Sequence, residues 1–404
     1  MLFACDLHVH IGRSSKGEPV KITAARSLTF ENIARECLER KGVTVVGIVD
    51  CASPAVMRDI ADLIDKGMMV ELEGGGLRYR YGVTVMLGAE FETREPDGGL
   101  SHHVSFFPSL DRLAKFAEQV GKHVTNLQLS SQQCGLPARR LLELCLEYGG
   151  LFVPAHAFTP HKSLYGSATD RAQKIFGELW EAIPAVELGL SADSYLADRI
   201  AELRDKTFLS NSDSHSLPNI AREYQLIVMR EANFQELENA LWRRDGRYVA
   251  ANFGLDPRLG KYHRTCCQDC GWIARREPPV FECEQCGSER VTMGVLDRIA
   301  AISDYSEPRQ PLWRAPYRYQ VPLQFIPGIG AAAIAKLINA FGSEMAVLHQ
   351  ASEEEIAQVV GSRAARLIIM AREGTLPLLP GGGGRYGKAL TDREALGQLH
   401  LPGL

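Results

Sequence analysis

The chain has 404 residues, long enough for two or three domains, and its 45% apolar content allows at least one sizeable core. A net charge of −4 excludes a uniformly basic nucleic-acid coat, and no stretch approaches the roughly 20 apolar residues of a membrane helix. Residues 1–257 hold 28 basic against 34 acidic side chains and residues 258–404 hold 17 against 15. That division suits a carboxylate-rich metal site followed by a nucleic-acid-facing tail, or ordinary surface scatter. The opening Met-Leu-Phe-Ala-Cys-Asp-Leu-His lacks the basic and apolar regions of a signal peptide. The ten cysteines include two close pairs rather than a disulfide framework, so a cytoplasmic protein is expected.

Strand patterns occupy 2–10, 43–49, 83–91, 103–107, 151–154, 185–188 and 208–212. Amphipathic helical patterns fall between them, at 30–41 with Ile33, Ala34, Cys37 and Leu38 on one face, and at 139–148 with Leu141, Leu142, Cys145 and Leu146. This alternation over 1–255 predicts an α/β fold with a mostly parallel sheet closed into a barrel. Gly74-Gly75-Gly76 reads as a hairpin turn inserted in that scheme. Residues 256–300 are Cys-rich and turn-rich. Residues 301–404 begin with a Pro-punctuated basic-aromatic segment, look helical over 322–373, and end in a tail whose Gly381–Gly384 run is expected to be irregular and mobile.

Asp6, His8 and His10 alternate on the first strand and so are read as sharing a face. Two imidazoles two residues apart at a strand end chelate one ion, and a neighbouring carboxylate binds or orients them. A single His-x-His recurs by chance, but the alternation returns in Asp213 and His215, and Asp50, Glu90, His103 and His156 stand at further strand ends. Ligands gather at the carboxyl ends of strands in α/β sheets and barrels, so this set is read as a metal site. Asp50 also suits a helix N-cap. Asp193 is a candidate catalytic acid or ligand, with capping of the next helix as the plainer alternative. His102 would face away from the site, and His123, His349 and His400 read as ordinary histidines. So many donors imply two or three divalent ions, zinc, manganese or magnesium, with water as the nucleophile for phosphoryl chemistry.

The ordered set Asp6-Leu7-His8-Val9-His10, Asp50, Glu90, His103, His156 and Asp213-x-His215 resembles the PHP (polymerase and histidinol phosphatase) family. The resemblance implies a distorted PHP-type (β/α)7 barrel and a trinuclear metal site that hydrolyses phosphoesters. One motif departs from the family: Val49-Asp50-Cys51 stands where Thr-Asp-His is usual, so either Asp50 or Cys51 fills that position.

Cys267-x-x-Cys270 and Cys283-x-x-Cys286 are 12 residues apart and closed by Gly271 and Gly287. Two such knuckles predict a four-cysteine structural zinc site, with Cys266 outside it. Ile326-Pro327-Gly328-Ile329-Gly330 ahead of a helix at 331–341 resembles a helix-hairpin-helix turn, in which Gly328 and Gly330 bring backbone N–H groups to a DNA phosphate. A second turn, Val359–Arg363, precedes a helix at 364–372, and a small helical bundle is the alternative to both. Arg309, Trp313, Arg314, Tyr317, Arg318 and Tyr319 interleave cations and rings, which suits phosphate contact with base stacking, or a linker packed on the barrel. Gly382-x4-Gly387-Lys388 imitates a phosphate-binding loop, but Ala389 replaces the magnesium-holding hydroxyl, so ATP is not expected.

The order of these parts resembles the endonuclease Q family over nearly the whole chain, including Pro154–Pro160, Tyr165–Ser167, Val186–Asp193 and Ser210–His215. The resemblance implies a DNA repair endonuclease acting on damaged DNA by a multinuclear metal-hydroxide mechanism. It would cut 5′ to deaminated bases (uracil, hypoxanthine, xanthine) and abasic sites. Lys162, Ser163, Tyr165 and Ser167 are then candidates for the pocket of a turned-out nucleotide, with a plain surface loop as the alternative. A PHP phosphatase acting on a small phosphoester and a non-catalytic DNA-binding scaffold are the competing readings. A sliding clamp as partner has no support in the sequence.

Overall fold

The computed structural model describes residues 1–390. Its strands run in chain order as β1 (Leu2–Val9), β2 (Val45–Ile48), β3 (Met69–Glu71), β4 (Leu77–Tyr79), β5 (Val83–Arg94), β6 (Leu100–Phe107), β7 (Leu151–Pro154), β8 (Ala185–Glu187), β9 (Thr207–Leu209), β10 (Tyr224–Val228) and β11 (Tyr248–Gly254). Seven of them form a distorted barrel. β1, β2 and β5 pair in parallel, β5 to β6 and β6 to β7 pair antiparallel, and β8 pairs with β9 in parallel. The ring closes through Ala157 N–H donating to Glu187 O (2.9 Å), and through the segment after β9, where Ser214 exchanges backbone hydrogen bonds with His8 and His10. The expected mostly parallel sheet is therefore mixed. Only residues 95–99 join β5 to β6, too few for a helical crossover, so the chain must return antiparallel. β3 and β4 form the hairpin expected at Gly74–Gly76, and β10 and β11 extend the sheet antiparallel from the first half of β1.

Helices α1 (Phe30–Glu36) and α4 (Ala138–Glu147) follow the two amphipathic patterns, α2 (Pro54–Asp65) and α3 (Leu110–Gly121) are further helices between strands, and Thr29 and Ser109 cap α1 and α3. After α1 the chain widens into a π-type turn over Cys37–Lys41 instead of continuing as α-helix. Phe30, Ile33, Leu113, Phe116, Leu141 and Leu142 pack with Val46, Ile48, Val85 and Leu87 outside the barrel. A second core, with Leu7, Val45, Met86, Val104, Phe106, Ala185 and Leu209, fills the barrel itself. Short helices α5 (Ala172–Phe176) and α6 (Ser194–Ala197), then α7 (Phe234–Leu241), complete this part.

Beyond the barrel come the Cys-bearing ribbon β12 (Cys266–Cys267) with β13 (Val291–Thr292), helix α8 (Val295–Ile302) and strand β14 (Tyr317–Tyr319). β14 pairs in parallel with β11, and Val295, Ile299, Ile302 and Tyr317 join the core outside the barrel. The expected seam at residue 300 is thus blurred: sequence distant from the barrel completes its sheet. Four helices follow, α9 (Ala331–Phe341), α10 (Glu344–His349), α11 (Glu353–Val360) and α12 (Ser362–Arg372), around a third core of Leu323, Ile326, Ile334, Leu337, Ile356 and Ile368. The Gly381–Gly384 run is not loose. It turns a hairpin between β15 (Leu378–Leu379) and β16 (Lys388–Ala389), and Gly381 and Gly387 bond the backbone of Arg258 and Leu259. His400 lies outside the described residues. Among the described residues no helix is long and apolar enough to cross a membrane.

Candidate metal centre

His8 and His10 leave the end of β1 into the barrel mouth, and Glu90 (β5), His102 (β6), His156 (after β7) and Asp213 (after β9) arrive from four other stretches of chain. Two groups of donors form. His8, His10 and Asp213 make one, and Glu90, His102 and His156 make the other. Glu90 serves both: its Oε1 lies 3.5 Å from His8 Nε2, 3.1 Å from His102 Nδ1 and 3.6 Å from His156 Nε2, and its Oε2 lies 3.6 Å from His10 Nε2. Asp213 Oδ1 sits 3.3 Å from His10 Nε2 and 3.7 Å from His8 Nε2.

The two imidazoles of the first group are aimed by carboxylates behind them. His8 Nδ1–H donates to Glu187 Oε2 (2.9 Å), and His10 Nδ1–H donates to Asp50 (3.1 Å). A ring whose Nδ1 carries the proton presents a lone pair at Nε2. The two Nε2 atoms face each other at 3.3 Å, an arrangement that calls for a cation between them. Glu90 Oε1 is likewise buried with no hydrogen-bond partner. Burial pulls the His8 pKa down, yet Glu187, Asp213 and Glu90 carry it up to about 10, because three carboxylates face this one imidazole. Burial would raise Glu90 and Asp213, but His102 and Lys21 beside the one, and His10 and His8 beside the other, hold both well below the usual carboxylate range. His156 (φ 30°) and Asp213 (φ 44°) sit in left-handed backbone, strain that the surrounding fold imposes at these two ligand positions. The donors fit divalent cations.

Several expectations are corrected. His103 is not in either group; His102 is. Opposite residues of an antiparallel pair share a face, and Glu90 stands opposite Val104, so the side chain two positions on, His102, points with it. His103 turns outward, stacks on Phe152 at 4.9 Å and bonds Ser101 (2.8 Å), and burial holds its pKa down near 3. Asp6 does not share the face of His8, because a register shift lies between Asp6 and Val9; it accepts from Ser212 and Ala221 N–H and anchors the loop that carries Asp213. Asp50 stands behind His10 rather than among the donors, and Cys51 turns into the core, donating to Ile48 O. His215 stands beside the first group, its ring 4.6 Å from that of His10 and its Nδ1–H on Asp213 O. Asp193 caps α6 through Leu196 N–H and accepts from Tyr319 OH (2.7 Å), outside both groups.

The pocket and DNA-contact candidates divide in the same way. Tyr165 is buried and donates to Glu202, and Ser163 caps the turn at Gly166. Ser167 is exposed and donates to Leu100 O. Lys162, half exposed, pairs with Glu92 (2.6 Å), which also takes His102 Nε2–H (3.3 Å). Arg314 is not a surface cation. It lies buried in a two-pronged ion pair with Asp198 and lies over the Phe208 ring, while Arg318 is exposed. Gly328 and Gly330 are exposed, and a Cβ at either would meet nothing within 4 Å. Gly328 needs its glycine for φ 84°. His349 bonds Tyr224 OH and joins the helical bundle to the sheet at β10. Glu187 lies inside the strand pattern at 185–188, where a lone acidic residue gives no motif; Lys21, Ser130 and Ser131, on loops, carry no signal in the sequence.

The four cysteines of the ribbon converge, with Cys267 Sγ 3.7 Å from Cys286 Sγ and Cys270 Sγ 3.5 Å from Cys283 Sγ. A tetrahedral ion with bonds of about 2.3 Å puts its sulfurs about 3.8 Å apart, so the spacing is that of a closed four-thiolate metal site. Cys266 points to the carbonyls of Cys267 and Gly271 instead.

The barrel, its paired donor groups and the four-cysteine ribbon together define a metal-dependent phosphoesterase scaffold with an added helical module. No family model matches the chain. The uncharacterized protein YqxK of Bacillus subtilis (strain 168) is 45% identical over 388 residues, which are 95% of this chain and 98% of that protein. The uncharacterized protein MJ0043 of Methanocaldococcus jannaschii is 35% identical over 257 residues, covering 58% of this chain and 31% of its own length. Among solved structures, the lesion-specific endonuclease PfuEndoQ from Pyrococcus furiosus matches with a TM-score of 0.82 and 31% identity, over 98% of this chain and 97% of that one. Endonuclease Q in complex with a 27-mer duplex substrate, with an abasic lesion at the active site, matches with the same score and identity over 97% and 98%. The chain belongs to the endonuclease Q family.

Proposed function

We propose that this protein is a DNA repair endonuclease that hydrolyses the phosphodiester 5′ to a damaged nucleotide, a deaminated base (uracil, hypoxanthine or xanthine) or an abasic site. The observation that carries the reading is one buried carboxylate, Glu90, shared by two groups of metal donors. It stands in a chain that overlays nearly end to end on an endonuclease Q bound to an abasic duplex. His8, His10 and Asp213 would hold one divalent ion and His102 and His156 another, with Glu90 in reach of both; Glu187 and Asp50 keep the imidazoles turned inward. Zinc, manganese or magnesium bound there, with the imidazole-rich donors favouring the first two, would supply an activated water and offset charge at the attacked phosphate. Zinc suits the four thiolates.

The loop leaving His156 borders a cavity of about 250 Å³ against the ribbon, lined by Pro160, His161, Tyr262, Arg264 and Gln268. A nucleotide turned out of the stack would enter this cavity, whose Pro160 and His161 follow His156 closely in the chain. Gly328 and Gly330 bring backbone N–H groups to a phosphate, and Arg318 adds a cation. Buried unpaired thiols such as Cys5, Cys37 and Cys145 favour a reducing, cytoplasmic setting.

Labelled duplexes carrying uracil, hypoxanthine, xanthine, an abasic site or no lesion, incubated with manganese or magnesium, test the assignment. Cleavage 5′ to the lesions, abolished by chelator, is expected. Cutting that ignores the lesion, or none at all, overturns it.

A further inference from the structure

The two donor groups give two ions where the sequence allowed two or three, and the corner between Glu90 and Asp50 bears on the difference; the inference rests on the metal-centre reading above. Lys21 reaches this corner from the loop after β1, where its backbone N–H donates to Ile11 O (2.9 Å) and Val20 O accepts from Ser130 (3.0 Å). Its Nζ donates to Ser131 Oγ (2.5 Å) and stands 3.5 Å from Glu90 Oε2, with the side chain only 16% exposed. Ser131 also donates to that Glu90 oxygen, Ser130 donates to Asp50, and the two hydroxyls lie 3.0 Å apart. Ser131 is held at φ 49° to do this.

Donors for a third ion are missing from the same corner. Asp50 is engaged by His10, Ile11 N–H and Ser130, Cys51 faces the core, and among the described residues the barrel forms only two groups of three donors. We propose that the Lys21 ammonium takes the place of a third ion: it balances Glu90 and offers a free N–H to a non-bridging oxygen of the scissile phosphodiester. An ammonium has three donors, and Ser131 and Glu90 engage two. A mostly buried cation beside the shared carboxylate repels a further divalent ion and attracts phosphate, with little screening by salt.

Metal content of the whole protein after saturation with manganese or zinc, read by mass spectrometry, and single-turnover cleavage of an abasic duplex test this. Three ions per chain are expected, one on the cysteines and two in the barrel. Lys21→Met should keep at least that number, because a competing positive charge is gone. It should bind the duplex nearly as well but cleave roughly 100-fold more slowly, and Lys21→Arg should recover part of the rate. Four ions in the unmodified protein, a lost barrel ion in Lys21→Met, or an unchanged rate would overturn the proposal and leave the metal centre standing. An ion on the cysteines alone would remove the metal-centre reading, and this proposal with it.

Discussion

His102 and His103 are chemically identical neighbours with opposite fates, and the difference is strand parity. His102 joins Glu90 and His156, while His103 packs between Phe152 and Phe176. His102→Ala should lose one barrel ion and roughly 100-fold in cleavage rate, since a donor to a catalytic ion is removed. His103→Phe keeps the stack and should cleave at close to the unmodified rate with full metal content. Metal analysis and single-turnover kinetics on the two variants check the assignment; the reverse pattern would restore His103 as the ligand. Arg314 teaches the same lesson about faces: a guanidinium in a basic-aromatic run reads as a DNA contact, yet here it closes a buried pair with Asp198.

At the scale of elements, the turn before α9 leaves both its glycines uncovered, with nothing within 4 Å of a Cβ placed on either. Gly330 has ordinary φ (−89°), and a Cβ added there meets nothing, so substitution leaves the turn intact. Gly330→Glu should therefore keep the melting temperature while weakening duplex binding about tenfold at moderate salt, because a carboxylate now faces the phosphate. Binding titrations at two salt concentrations check it; unchanged affinity would mean that the turn only joins helices. The element boundaries were mostly legible in the sequence, since β7, α9 and the β3–β4 hairpin follow local periodicity and turn residues. The antiparallel return of β6 was missed because strand direction depends on the length of the connection, which the alternating pattern alone does not display.

For the whole molecule, the later segments are part of the enzyme rather than cargo behind it. β14 pairs with β11, and α8 places Val295, Ile299 and Ile302 against the barrel's outer core. A chain ending at residue 255 should expose that apolar surface and fail to give a soluble, cooperatively melting barrel, as circular dichroism and calorimetry would show. A stable, active truncation would instead favour a free-standing phosphoesterase.

The sequence by itself determined the donor types and the four-thiolate site, because His/acid alternation and Cys-x-x-Cys spacing are local properties of the chain. Only the tertiary structure decided which donors meet. A register shift in β1 turns Asp6 away from His8, cross-strand pairing selects His102, and Glu187 and Lys21 reach the centre from segments with no shared motif. Each of these depends on long-range register, in which a one-residue slip sends a side chain to the opposite face.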